Sequence, residues 1–279
     1  MKVVCVPVID RPECAVALNT AFELSQSLDA AVMGYHLRAH RESAVNLPEA
    51  VSEMVNGDEN NPSDSENNQQ SAEKLFARLA DMHGYVFKKK ASAAPVALWQ
   101  AKTGSPDKLF SIIGPVTDMI VVSRPKKGGK VARKFMLSAL LNSAKPVMIL
   151  PQKPTKTVGK KICIAWNQSP EAARAVAAAM PLIKQADQVT IMSNGTQNRL
   201  GPKVKHLKQY LTMHGINANH IKLKSKKDAT ALVKAYKESE SDLLVMGAYS
   251  KSRLRQVIFG GVTEHMLFSA DIPVFMLHS

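Results

Sequence analysis

The residue types best suited to chemistry in this chain are glycines set among cations near its end. Gly247 closes the apolar run DLLVMG, Ser250, Lys251 and Arg253 follow, and Gly260-Gly261-Val262-Thr263 leads into the short helical stretch EHMLFSA. Glycines let backbone amides approach a phosphate closely, and a helix N-terminus adds free N–H groups and a partial positive charge. That combination suits holding the phosphate chain of a nucleotide. A second tip, Trp166-Asn167-Gln168-Ser169, ends the apolar run KICIAW, and Asn167 there can donate and accept hydrogen bonds or cap the helix that follows. Bond-breaking chemistry has no comparable support. The sequence holds no Gly-x-Ser-x-Gly elbow, no His-Glu-x-x-His, no paired catalytic carboxylates and no triad, so no catalytic residue is assigned.

Other reactive side chains read as structure. Cys5, Cys14 and Cys163 form no metal-type pair and are too few for a disulfide framework, which points to a reducing compartment. Cys5 and Cys163 lie inside apolar runs as buried residues, whereas Cys14 stands near a helix start, where a thiol pKa can fall. His36 and His40 follow a strand and lack a third ligand, so they are expected to be loop histidines rather than a metal site. The run RPKKGGK (124–130) misses the P-loop pattern and is at most a general anion-binding loop. A net charge of +14 attracts anions without naming one. Lys88-Lys89-Lys90 and the lysines at 222, 224, 226 and 227 read as solvated faces, and nucleic acid is not the expected partner, because base-stacking aromatics do not accompany them.

These residues must be positioned by a repeated scaffold. At 279 residues the chain is long enough for two domains, and a 45% hydrophobic content is that of a globular chain. KVVCVPVIDRPECAVAL near the start matches KKICIAWNQSPEAARAV from Lys160, aligning Cys5 with Cys163, Pro12 with Pro170 and Glu13 with Glu171. DMIVVS from Asp118 matches DLLVMG from Asp242, and AKPVMILP matches ADIPVFMLH. The Pro- and Lys-rich segment 151–160 links the copies. In the second copy KICIAW, QVTIMS, HIKLKS, DLLVMG and PVFML alternate with helical stretches, predicting β-α repeats and a doubly wound parallel sheet. The first copy follows the same plan, with its third strand near Lys88–Lys90 and a polar, acidic insertion at 41–72 expected to be a mobile loop. No run approaches the ~18–20 apolar residues that span a bilayer, and the apolar start MKVVCVPVID is broken by Pro7 and Asp10, so export is not expected. In such sheets ligands bind beyond the carboxyl ends of the strands where the strand order reverses, which here means the tips of strands one and four.

The strand DLLVMG, the loop GAYSKSRLRQVIFGGVT and the closing ADIPVFML resemble the universal stress protein family, and the likeness extends over both halves. The resemblance implies two tandem, Rossmann-like (adenine nucleotide alpha hydrolase-like) α/β domains at 1–150 and 161–279, joined by 151–160. Each would carry a five-stranded parallel sheet of order 3-2-1-4-5, and the last strands PVMIL and PVFML would pair antiparallel as a pseudo-dimer. The family's motif, Gly, two residues, Gly, nine residues, Gly and Ser or Thr, falls on Gly247, Ser250, Gly260 and Gly261. Ser250 and Gly261 depart from it, with Thr263 offering a nearby hydroxyl, and Asn167 stands where the family has an Asp. The implied nucleotide set is Asn167, Met192, Met246, Gly247, Ser250, Lys251, Arg253, Gly260, Gly261, Val262 and Thr263. The implied ligand is ATP or AMP, with Mg if ATP, and the implied role is that of a cytoplasmic stress-response regulator rather than an enzyme, with at most weak ATP hydrolysis. In the N-terminal copy Ser123-Arg124-Pro125-Lys126-Lys127-Gly128-Gly129-Lys130 replaces the phosphate loop, and that half is not expected to bind nucleotide. A nucleotide-independent protein-interaction module of the same fold is the alternative, its protein partner and any further homodimer left open.

Overall fold

The computed structural model describes residues 1–9, 11–38, 62–93, 95–126, 129–194, 200–223, 229–248 and 261–278. The N-terminal half runs β1 (Val3–Pro7), α1 (Pro12–Leu28), β2 (Ala31–Arg38), α2 (Pro62–Met82), β3 (Phe87–Lys88), β4 (Ala97–Thr103), α3 (Pro106–Ile112), β5 (Met119–Ser123), α4 (Lys130–Asn142) and β6 (Val147–Leu150). The C-terminal half runs β7 (Lys161–Trp166), α5 (Pro170–Ile183), β8 (Gln188–Asn194), α6 (Val204–Met213), β9 (Ala218–Leu223), α7 (Ala229–Glu238), β10 (Leu243–Ala248), α8 (Gly261–Phe268) and β11 (Val274–His278). Alternating strands and helices on a mostly parallel sheet make this an α/β fold.

The strands form one sheet of order β3-β4-β2-β1-β5-β6-β11-β10-β7-β8-β9. Pairing is parallel throughout except at the seam between the halves, where β6 and β11 run antiparallel with Met148 opposite Phe275. The central strands are apolar along their whole length because helices cover both faces. Val4, Val6, Val121, Ile164, Val245 and Phe275 fill one face, and Cys5, Ile120, Cys163, Leu244, Val274 and Met276 fill the other. Each core therefore passes through the seam without a break.

Two expectations need correction. In the N-terminal half the strand that takes the third position is β4, not the lysine run: β4 pairs with β2 from Ala97 to Thr103, while Phe87–Lys88 adds only a two-residue edge outside it. Among the described residues that half thus has six strands where five are expected. Lys88, Lys89 and Lys90 are solvent-exposed, as a charged edge must be. The insertion is also shorter than 41–72, since α2 begins at Pro62 and its later turns bury Ala72, Leu75, Phe76, Leu79 and Ala80 against the first core. A polar start is carried as helix by the apolar face that follows it. Residues 41–61 lie outside the described residues.

The aligned Asp118 and Asp242 do the same work in both halves. Asp118 accepts from the backbone N–H groups of Lys2 and Val3, at 2.5 and 3.0 Å. Asp242 accepts from those of Gly159, Lys160 and Lys161 at 2.9–3.0 Å and from Thr157 Oγ1 at 3.0 Å. Each carboxylate, just before β5 or β10, thereby anchors the chain entering β1 or β7, and so aligns the two strands whose far ends frame the crevice.

Candidate functional site

At the carboxyl end of β7 the chain makes a tight, capped turn into α5. Asn167 is exposed, and its Oδ1 accepts from Ser169 N at 3.1 Å, an Asx turn. Ser169 Oγ then accepts from Ala172 N at 3.1 Å as the N-cap, with Pro170 in the first turn, where its missing N–H costs nothing. Gln168 takes a left-handed φ of 62° between them. The chain after β8 lies against this tip: Trp166 Nε1 donates to Pro202 O at 2.8 Å, and a Cβ on Gly201 would stand 2.1 Å from Gln168 O. Asn167 Nδ2 makes no hydrogen bond among the described residues, so the amide keeps donors for a ligand.

β10 lies beside β7, with Leu243 to Val245 opposite Ile162 to Ile164. At its end a Cβ on Gly247 would sit 2.6 Å from Ala172 N and from Glu171 C, backbone atoms that cannot swing aside. The first turn of α5 consequently rests directly on the β10 main chain. In the N-terminal half the aligned residue is Ser123, whose hydroxyl donates to Glu13 O at 2.7 Å, so a side chain separates strand tip from helix there.

Gly261 opens α8 on the exposed side, with no atom of the described residues within 4 Å of where a Cβ would be, and Val262 and Thr263 are half-buried. Met266 and Leu267 anchor the same helix in the core. The first-turn N–H groups of such a helix lack intrahelical acceptors and carry the positive end of its dipole. Met192 and Met246 are 1% and 6% exposed and pack with Leu244 and Cys163 in the second core, so they support the strand tips from beneath. Ser250, Lys251, Arg253 and Gly260 lie outside the described residues, as does Asp10.

The structure adds a residue that sequence reading missed. His278 ends β11 in register with Ala248 of β10, which puts an imidazole on the row of strand tips. Burial lowers its pKa, while the Glu171 carboxylate pulls the other way. Only its alignment opposite Pro151 in the repeat could have flagged it.

The aligned crevice of the N-terminal half, between the tips of β1 and β5, is an open cleft of about 440 Å³, solvent included, lined largely by apolar atoms of Ile9, Val122 and Phe135, with Arg11 and Glu13 also on its wall. Lys126 Nζ lies 3.4 Å from the Glu13 carboxylate. The three cysteines are buried, and burial pushes the Cys5 thiol up to about 12 and that of Cys163 upward as well, so neither supplies a thiolate. His36 is a strand residue rather than a loop one, since β2 runs on to Arg38: it is 6% exposed, 3.1 Å from Val8 O through Nδ1, and stacked near Trp99. His40 lies outside the described residues. Among those residues no group of three or more His, Cys, Asp or Glu could hold a metal, and no helix is long and apolar enough to cross a membrane.

A parallel sheet with a switch-point crevice, a glycine at the tip of its fourth strand and a helix opening on Gly-Val-Thr define a doubly wound type of α/β domain. Residues 159–278 match the model of the Universal stress protein family. Over its whole length the chain shares its fold with solved structures. A universal stress protein from Archaeoglobus fulgidus DSM 4304 superposes with a TM-score of 0.73 at 13% identity, covering 99% of this chain and 98% of that one. A functionally unknown protein from Pseudomonas aeruginosa PAO1 does so with a TM-score of 0.58 at 11% identity, covering 100% and 92%. No protein of curated function matches the sequence significantly.

Proposed function

We propose that the C-terminal half binds one adenine nucleotide, ATP or AMP, and that the protein acts through this binding as a stress-response regulator rather than as an enzyme. The observation that carries the reading is Gly247. Because no side chain fits there, α5 closes onto the tip of β10 and brings exposed Asn167 to the edge of the crevice. Adenosine lies at Asn167, where the Nδ2 amide donates to a base or ribose acceptor. The phosphates run along the segment from Gly247 to Thr263 and end over the first turn of α8, with Lys251 and Arg253 as counter-charges. The departures at Ser250 and Gly261 remove one glycine and one hydroxyl from the family pattern, and Thr263, in the first turn of α8, supplies the hydroxyl. Any Mg arrives with ATP, coordinated by its phosphates. No group in the crevice is assigned to activate water, so turnover is at most slow.

The test is release and rebinding. Freshly purified protein is denatured, its supernatant analysed for nucleotide, and ATP then titrated calorimetrically into nucleotide-free protein. About one adenine nucleotide per chain is expected. Absence of both release and binding heat would replace this reading with the nucleotide-independent interaction module, for which the altered positions 250 and 261 are the supporting features.

A further inference from the structure

The helix that opens at Gly261 is held at its other end by the opposite half of the chain. Arg124 follows β5 directly, its N–H donating to Leu150 O at 2.8 Å and its carbonyl accepting from Gln152 Nε2 at 3.2 Å, so its backbone is fixed where β5 and β6 end. Its side chain, only 5% exposed, reaches across the seam. Nε donates to Leu267 O at 3.2 Å, and Nη2 donates to Met266 O at 2.9 Å and to Ile272 O at 3.0 Å. The guanidinium therefore grips the last turn of α8 and the strap that leads into β11.

The chemistry of that grip is specific. The last carbonyls of a helix have no intrahelical donors and carry the negative end of its dipole, and a planar cation with several N–H groups answers both needs at once. Burial draws the guanidinium pKa down to about 10 against the supporting charge of Asp271, which leaves it protonated at neutral pH. Arg133 in α4 adds a second hold, its Cζ standing 4.3 Å from the centre of the Phe268 ring. The repeat aligns Arg124 with Ala248, a fully buried methyl group, so the aligned position of the C-terminal half offers α4 no such hold.

We infer that Arg124 is a positioning residue for the C-terminal nucleotide site: through it the N-terminal half fixes where α8 stands along its axis, and hence how its first turn meets phosphate. The inference rests on the nucleotide reading above. It gives the half whose own loop is replaced by RPKKGGK a task in the same site, and it makes phosphate affinity depend on the contact between the halves.

The experiment compares ATP and adenosine titrated into the full chain and its Arg124→Met, Arg124→Lys and Met148→Ala variants. Met148 lies in β6 opposite Phe275, so its truncation weakens the seam without touching the end of α8. Arg124→Met should lose about tenfold in ATP affinity, within the range of couplings transmitted through packed elements, and less than about twofold for adenosine. Arg124→Lys, whose single ammonium cannot serve three carbonyls, should fall between, and it answers for Arg124→Met should that variant not fold. Met148→Ala should lower the melting temperature with ATP affinity unchanged. If wild type binds neither ligand, the nucleotide reading fails and the inference with it. If wild type binds ATP and the Arg124 variants bind it equally well, or lose ATP and adenosine together, or if Met148→Ala loses ATP as they do, the inference alone is overturned.

Discussion

At Gly247 the absence of a side chain sets how close α5 comes to β10. Gly247→Ala drives a methyl group into the backbone at Glu171 and Ala172, and since main chain cannot rotate away the helix start must move. Overpacking of this kind costs about 1–3 kcal/mol. Urea unfolding should show that loss, and calorimetry should show weakened nucleotide binding. The glycine was legible in the sequence as a strand-end residue, but the atoms it avoids belong to a helix 75 positions earlier in the chain, which no local pattern discloses. Asp118 supports a second prediction. Burial raises its pKa, but hydrogen bonds from Lys2 and Val3, with the charges of the N-terminus and Lys145, outweigh it and leave the carboxyl below its ordinary value. A folded-state pKa below the unfolded one means the unfolded chain binds the proton more readily. The stability Asp118 contributes is thus complete above about pH 4 and fades as pH falls through the lower folded value. Wild type should exceed Asp118→Asn in stability at pH 7, and the gap should narrow below pH 4; a gap independent of pH would show that the charge contributes nothing.

Elements decide how those residues reach one crevice. The turn from β7 to α5 depends on two side chains in series, Asn167 on Ser169 N and Ser169 on Ala172 N. Ser169→Ala removes the cap and should cost about 1 kcal/mol in stability, as N-cap serines do. It should also weaken nucleotide binding, because the freed turn no longer holds Asn167 still, and comparing melting temperature with calorimetric affinity separates the two effects. The cap was not legible, because the sequence offered Asn167 for it, whereas Ser169 is the N-cap and Asn167 holds the turn before it. The helix start was readable, since Pro170 and Glu171 open an Ala-rich stretch. The third strand of the N-terminal half was not. A lysine run beside apolar residues imitates the alternation of an edge strand, whereas β4 reads ALWQAKT, and its strand identity comes from Trp99 packing on Phe76 and from seven consecutive pairings with β2. Both are long-range facts. The same holds for α2, whose polar opening carries no helical signal until Leu75, Phe76 and Leu79 commit its later turns to the core.

Across the whole molecule the two halves are joined by a strand pair that would be hazardous apart. β6 and β11 are apolar last strands, and their antiparallel pairing turns two open edges into the middle of one sheet. The repeat made that seam legible, because each copy ends on the same kind of apolar strand. Arg124 was hidden, since the copies differ at that position and its partners are carbonyls, which sequence does not encode. Val274 lies in the seam opposite Ile149 and is fully buried, so Val274→Lys forces an ammonium group among apolar residues with no carboxylate opposite it in the pair. The lysine escapes only if the strands part. Small-angle scattering should then report a larger radius of gyration than wild type, with the far-ultraviolet dichroism of the strands and helices largely kept. Val147→Lys, placed on the facing strand opposite Met276, should act in the same way from the N-terminal side. An unchanged radius for both folded variants would mean that the clasps of Arg124 and Arg133 hold the halves together without the sheet. Loosening in both would make the continuous sheet the principal bond, with the arginine clasp setting geometry rather than cohesion.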